Sequence, residues 1–83
     1  MIEVLFFARV RDEVGMEGLK LEMPVGVNSL LQFTQHLIVT HPSFAGIIDQ
    51  PSILVAINQE FARPGSVIED GDEIAYFPPV TGG

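Results

Sequence analysis

The chain has 83 residues, 47% of them apolar and 18% charged, with 4 Lys and Arg against 11 Asp and Glu for a formal charge of −7. One domain spanning 1–83 is expected, because two would leave each too few residues for a core, and the apolar fraction excludes an acidic disordered tail. The lack of cysteine excludes a disulfide scaffold, a Cys-ligated zinc site, an iron–sulfur cluster and a thiol nucleophile. Four cations make a poor phosphate-tracking surface, so neither nucleic acid nor an anionic membrane is an expected partner.

The chain starts Met1-Ile2-Glu3, with an acid where a signal peptide needs positive charge. The apolar run Val4 to Ala8 is too short for a secretory segment or a bilayer span, and the cytoplasm is the expected location. Ile2 to Arg9 reads as a strand, rich in β-branched and aromatic residues. Side chains alternate across a strand. Ile2, Val4, Phe6, Ala8 and Val10 therefore form a core face, and Glu3, Leu5, Phe7 and Arg9 look outward. After Arg11-Asp12-Glu13, Gly15 marks a turn. Leu19 to Met23 alternates apolar residues with Lys20 and Glu22. It predicts a half-buried second strand, stopped by Pro24 and paired with the first as an antiparallel hairpin.

Val27 to Thr40 has helical spacing, with Leu30, Leu31, Thr34, Leu37 and Ile38 on one face. Ser29 and Gln32 have capping-box spacing, and Asn28 and Gly26 are equally well placed as N-caps. His41-Pro42 ends the helix, since the residue before proline avoids helical dihedrals. Phe44 to Ile48 has room for a short further turn. Ile53 to Asn58 predicts another strand, Glu60 to Arg63 a short edge strand beside it, and Glu73 to Phe77 the last, with Ile74 and Tyr76 toward the core. Pro64-Gly65 and Asp70-Gly71-Asp72 are turns.

The order β-β-α-β-β-β describes an α+β domain: a mixed sheet of about five strands with one main helix across one face. That order resembles the ubiquitin-like β-grasp. The resemblance, rather than the periodicity, makes the first and last strands parallel central neighbours.

The ending Pro78-Pro79-Val80-Thr81-Gly82-Gly83 is the main chemical signal. Residues 78–83 are expected to form an extended tail with a flexible Gly-Gly tip. Two prolines stiffen the exit from the last strand, and side chains then shrink to nothing. Such a tip passes through a narrow channel and brings its backbone close to a reacting centre. The reacting group is then the α-carboxylate of Gly83, which is ionised and a poor electrophile at neutral pH. It needs activation, most simply by adenylation, before a sulfur or amine nucleophile can attack. An inert polar tail is the alternative. The outward sheet face carries Leu5, Phe7, Leu54, Ala56, Phe61 and Phe77 and is expected to meet a partner, because one helix covers one side of a sheet only.

Other features are read as surface or turn. His36 and His41 are spaced poorly for a shared metal. Glu69 to Glu73 lacks the ligand spacing of a calcium loop. Arg9 and Arg11 are surface cations, with Arg11 a candidate for a partner contact. No Gly-rich phosphate loop is present, so ATP has to be bound by another protein.

Val4-Leu5-Phe6-Phe7-Ala8, Val55-Ala56-Ile57-Asn58-Gln59, Asp70-Gly71-Asp72-Glu73 and Phe77-Pro78-Pro79-Val80-Thr81-Gly82-Gly83 resemble the small subunit of molybdopterin synthase, the sulfur carrier of molybdenum cofactor biosynthesis. The likeness runs the length of the chain. It implies a non-catalytic carrier subunit of an enzyme complex, a heterotetramer of two small and two large subunits. An E1-like adenylyltransferase using ATP and magnesium would activate Gly83. A sulfurtransferase or cysteine desulfurase system would convert it to a thiocarboxylate, whose sulfur attacks cyclic pyranopterin monophosphate in the large subunit. Gly82 and Gly83 are then the reacting tip. Phe7, Arg11, Phe61, Phe77, Pro78, Pro79, Val80 and Thr81 are the partner contacts. No cofactor is expected on this chain itself. Sulfur carriage for thiamine or tRNA thiolation is the alternative pathway, and a β-grasp interaction module with an inert tail the alternative class.

Overall fold

The computed structural model describes residues 1–79. Five strands form one sheet in the order β2-β1-β5-β3-β4, where β1 is Ile2–Phe6, β2 Gly18–Leu21, β3 Leu54–Ile57, β4 Glu60–Phe61 and β5 Glu73–Phe77. β1 and β5 run parallel at the centre, and the β1–β2, β3–β5 and β3–β4 pairs are antiparallel. This is the α+β, β-grasp arrangement expected. Of the tail, Val80, Thr81, Gly82 and Gly83 lie outside the described residues.

The first strand is shorter than its alternation suggests. β1 stops at Phe6, and Ala8–Val14 is a helix, α1, where the strand was expected to run on to Arg9 and lead to a turn at Gly15. Val10 and Val14 are four apart, and Arg9 pairs with Glu13 at 3.3 Å across one helical turn. Val10 lies on the inward side of both patterns and is buried, which is why the strand reading absorbed it. Ala8, expected on the core face, is exposed. It turns the chain with φ +52°, a left-handed conformation that costs an L-residue about 1–2 kcal/mol. Gly15 closes α1 with φ +82°, its N–H donating to the Arg11 carbonyl at 2.9 Å, a glycine-specific cap.

The main helix, α2, is Leu30–Thr40, three residues shorter at its start than expected. Ser29 proves to be the N-cap. Its Oγ accepts from the Gln32 N–H at 3.2 Å, and the Gln32 Oε1 accepts from the Asn28 N–H at 2.9 Å. The buried stripe is Leu30, Phe33, Thr34 and Leu37. The expected stripe was rotated from this: it included Leu31, which is 50% exposed, and omitted Phe33, which is fully buried. His41 caps the C-terminus and Pro42–Phe44 adds a 3-10 turn.

α2 lies across the side of the sheet presenting Ile2, Val4, Phe6, Ile74 and Tyr76, all at most 1% exposed. Phe6 stacks on Tyr76 at 6.0 Å and meets Phe44 edge-on at 5.4 Å. The Tyr76 hydroxyl shares a 2.7 Å hydrogen bond with Thr34 Oγ1 inside the core, so the one polar tip from β5 is satisfied by the one buried polar residue of α2. Burial pushes the Tyr76 phenol well above its usual range, with the Thr34 hydrogen bond partly opposing. Among the described residues no helix is long and apolar enough to cross a membrane.

Candidate functional site

Strand register decides what lies on the other side of the sheet. Leu5 pairs with Ala75, Ala75 with Ala56, and Ala56 with Phe61. That is one straight row across β1, β5, β3 and β4. The next row toward the end of β5 holds Phe77 opposite Leu54. Partners in register point to the same side, so these residues share the face that α2 leaves open. The Phe61 and Phe77 rings lie 6.0 Å apart, and Phe61 is 78% exposed at the sheet edge.

The face is graded along the strands. At the start of β1 and β5, Glu3 stands opposite Glu73, and Lys20 on β2 reaches Glu3 at 4.0 Å. At the other end the charges give way to aromatic rings. Because β1 and β5 are parallel, their ends coincide. The Phe7 N–H donates to the Tyr76 carbonyl at 3.1 Å, one step beyond the last regular pair. The chain leaves β5 at Phe77 beside Phe7, through half-buried Pro78 and exposed Pro79. The aromatic end of the open face is thus the end from which the tail departs.

Phe7 differs from expectation in its setting. It is the N-cap of α1 rather than a strand residue, and it is 46% exposed. Its carbonyl accepts from the Val10 and Arg11 N–H groups at 3.1 and 3.3 Å, so Phe7 and Arg11 lie one helical turn apart. The Arg11 Nε is 3.9 Å from the Asp12 carboxylate, a loose pair at the surface that leaves the guanidinium open to a partner. Phe7, Arg11, Phe61, Phe77, Pro78 and Pro79 therefore gather around one end of the sheet, while Val80, Thr81, Gly82 and Gly83 lie outside the described residues.

Two of the sequence stretches that marked the resemblance meet at the opposite end, in a structural role the sequence did not reveal. The β3–β4 turn uses Asn58 and Gln59, both with positive φ (+51° and +70°), as a two-residue hairpin requires. The Asn58 side-chain amide donates to Asp72 Oδ1 at 2.9 Å, and its Oδ1 accepts from the Glu73 N–H at 3.0 Å. Asp72 also accepts from the Glu69 N–H at 2.8 Å. This network holds the 69–72 turn and the start of β5. At the exposed rim, the Met1 amine holds the Asp70 carboxyl below the usual carboxylate range by hydrogen bond and charge. His41 stacks on Phe44 at 4.8 Å, and its Nδ1 lies 3.0 Å from Thr40 Oγ1, both structural contacts.

The sequence also matches known proteins along its length. A family model described as the ThiS family matches residues 4–83. The molybdopterin synthase sulfur carrier subunit of Haemophilus influenzae is 39% identical over 83 residues, covering the whole of both chains. The protein of that name from Escherichia coli strain K12 is 37% identical over 83 residues, again covering both completely. Among solved structures, SAMP1 from Haloferax volcanii superposes with a TM-score of 0.80 at 28% identity, covering 99% of this chain and 98% of that one. With the β-grasp topology in place and the family pattern continuous from β1 to the terminal glycines, the chain belongs to the ThiS family.

Proposed function

We propose that this chain is the sulfur carrier subunit of a molybdopterin synthase. The observation that carries the reading is the coincidence of the aromatic docking end with the exit of β5. A partner seated on Phe7, Phe61 and Phe77 receives the tail at its own surface. Full-length similarity to carrier subunits of that name supports the same reading.

In this reading an E1-like adenylyltransferase first binds the open face and takes the Gly83 carboxylate into its own ATP and magnesium site. Attack of a carboxylate oxygen on the α-phosphorus expels pyrophosphate and makes the carbonyl carbon electrophilic. A sulfurtransferase system then supplies sulfur at the sulfide level, which attacks that carbon and expels AMP, leaving a C-terminal thiocarboxylate. The chain contains no cysteine, so sulfur cannot be held as a persulfide and the terminus is where it resides. The thiocarboxylate is anionic and nucleophilic at neutral pH. Carried into the large synthase subunit, its sulfur attacks cyclic pyranopterin monophosphate. A carrier of charge −7 does not bind that anionic substrate unaided, so the cations that hold it belong to the large subunit. Residues 1–77 act as the handle and residues 78–83 as the arm.

The test is incubation with the E1-like enzyme, ATP and a sulfur source, followed by intact mass measurement. The mass should rise by the difference between a sulfur and an oxygen atom. A mass that never changes would sink the carrier reading and favour an interaction module with an inert tail. Deleting Gly83 should abolish both the mass change and dithiolene formation while leaving the thermal midpoint unchanged, because among the described residues every core residue precedes Pro78. A second reading, carriage of sulfur for thiamine or tRNA thiolation, draws on the same family match. It predicts activation by a different E1-like enzyme, and comparing activation rates among such enzymes separates the two.

A further inference from the structure

The two edges of the sheet are finished differently. β4 is two residues long. Its Phe61 alone turns its main chain outward, because the Ala62 N–H donates back to the Val55 carbonyl at 2.9 Å and hydrogen-bonded pairs alternate along an antiparallel ladder. An edge so short is guarded against pairing with another chain. β2 is longer and stands at the other edge, with no strand beyond it. Its register shows which groups are free. The Phe6 N–H donates to the Glu17 carbonyl at 2.8 Å, and the same alternation makes Val4–Leu19 and Ile2–Leu21 hydrogen-bonded pairs. Leu19 and Leu21 therefore bond inward to β1. Gly18 and Lys20 point their N–H and carbonyl groups outward, and among the described residues no loop or turn backbone bonds to them.

The free edge continues past the strand. Alternation in the sequence runs to Met23, but β2 ends at Leu21, because the residue that Glu22 would face is Met1, which precedes β1. Met23 precedes Pro24, which favours extended backbone. Leu19, Leu21 and Met23 pack against the margin of the core, whereas Lys20 and Glu22 are exposed. Lys20 is one of four cations in a chain of charge −7, and it reaches Glu3 only at 4.0 Å.

We propose that the β2 edge pairs with the β2 edge of a second copy, antiparallel about Leu21. The sequence itself selects the occupant. A two-fold interface needs a patch complementary to itself, and Leu19-Lys20-Leu21-Glu22-Met23 turned about Leu21 is its own complement. Lys20 falls opposite the second copy's Glu22, and Glu22 opposite the second copy's Lys20. Leu19 falls opposite the second copy's Met23, and Leu21 opposite itself. Opposite charges directly across a ladder stabilise it, and like charges destabilise it. Parity agrees with charge. The outward-facing Lys20 and Glu22 are the residues that exchange main-chain bonds, and Leu21 meets its copy at a non-hydrogen-bonded pair, where side chains come closest. A slip of two residues one way sets Lys20 against Lys20, and the other way Glu22 against Glu22, so a single register is favoured. Pro24, which has no N–H, ends the ladder opposite Gly18. So short a ladder makes a reversible contact. Its axis is perpendicular to the sheet, so both open faces lie on one side and the two β5 strands point in opposite directions. β4 with Phe61 stays at the far edge of each copy, which leaves the aromatic docking end free.

Charge exchange tests both the contact and its register. Sedimentation velocity of the unaltered chain from dilute to millimolar concentration should show a reversible dimer. Lys20→Glu or Glu22→Lys alone sets like charges opposite each other in both cross-pairs and should weaken the dimer about tenfold or more. The double variant, Lys20→Glu with Glu22→Lys, should restore it. An equimolar mixture of the two single variants should form a heterodimer tighter than either variant forms alone. Both positions are exposed, so the circular dichroism spectrum should not change. In this cysteine-free chain, Leu21→Cys should give a disulfide-linked dimer under mild oxidation, because Cα atoms about 4.5 Å apart at such a pair lie within disulfide range. Val39→Cys, exposed on α2, should stay largely monomeric. The proposal is overturned by a chain monomeric at every concentration, by single charge variants that dimerise as well as the unaltered chain, or by a folded double variant that does not recover. Equal trapping through Val39→Cys also overturns it. So does a dimer lost with Phe61→Ala but kept with Lys20→Glu, which would place the contact on the docking face.

Discussion

Tyr76 is a residue whose environment can be read directly in solution. It is the chain's one tyrosine and there is no tryptophan, so the tyrosinate absorbance band reports on this phenol alone. Buried and bonded to Thr34, it keeps its proton in the folded state well above the usual range, whereas the unfolded chain releases it near pH 10. Unfolding therefore releases a proton above that pH. Stability should fall as pH rises past about 10, by ~1.4 kcal/mol per pH unit from this group. Tyr76→Phe should remove that slope at a cost of about 1 kcal/mol at neutral pH, from the lost hydrogen bond. Denaturant unfolding of both proteins at stepped pH checks this. Tyrosinate absorbance appearing near pH 10 in a still-folded chain would show that the phenol is not sealed in the core. A second single-residue test concerns Gly18 at the start of β2. A Cβ there would lie 2.3 Å from the Val4 carbonyl oxygen and 3.2 Å from Leu5 Cδ2. Since the closer atom is backbone of the central strand, Gly18→Ala should cost about 1–3 kcal/mol, read as a lowered denaturation midpoint.

Among the elements, β5 is the one the sequence states most plainly. Its five residues alternate without interruption between a charged turn and a proline pair, and the observed bounds match the expected ones. β1 was overextended because Phe6-Phe7-Ala8 continues both the apolar run and the alternation. Only the left-handed backbone at Ala8 breaks the strand, and nothing in a single alanine announces it. α1 is shorter than two full turns, so its periodicity rests on Val10 and Val14 alone, and the same residues fit a strand. The error in α2 is of another kind. The helix was legible, but an i, i+1, i+4 stripe can be laid on either side of Leu30, and packing against Phe6 and Tyr76 selects the side with Phe33. That choice is measurable. Phe33→Ala should cost about 3–5 kcal/mol by leaving a core cavity, a large fraction of the stability of so small a domain. Leu31→Ala should stay within about 1 kcal/mol. Equilibrium denaturation of the two variants decides it, and equal losses would mean that the helix is rotated from the orientation described.

At the scale of the whole molecule, the open face was legible by parity because strand alternation is rigid and the register rows obey it. Its polarity was not. The aromatic end and the tail coincide only because β1 and β5 are parallel, which periodicity does not encode. In the function proposed above, docking brings a chain of charge −7 toward the cations that hold the partner's anionic substrate, and long-range attraction speeds the encounter. Raising ionic strength should slow association with the large subunit by about tenfold or more. Dissociation should change little, because the contacts proposed for Phe7, Phe61 and Phe77 are short-ranged and apolar. Stopped-flow association at several salt concentrations measures both rates. Alanine at Phe61, an exposed edge residue whose loss leaves the core intact, should do the reverse, speeding dissociation about tenfold or more with the association rate unchanged. If salt acted on dissociation and Phe61→Ala on association, steering and adhesion would have to be assigned to the opposite groups.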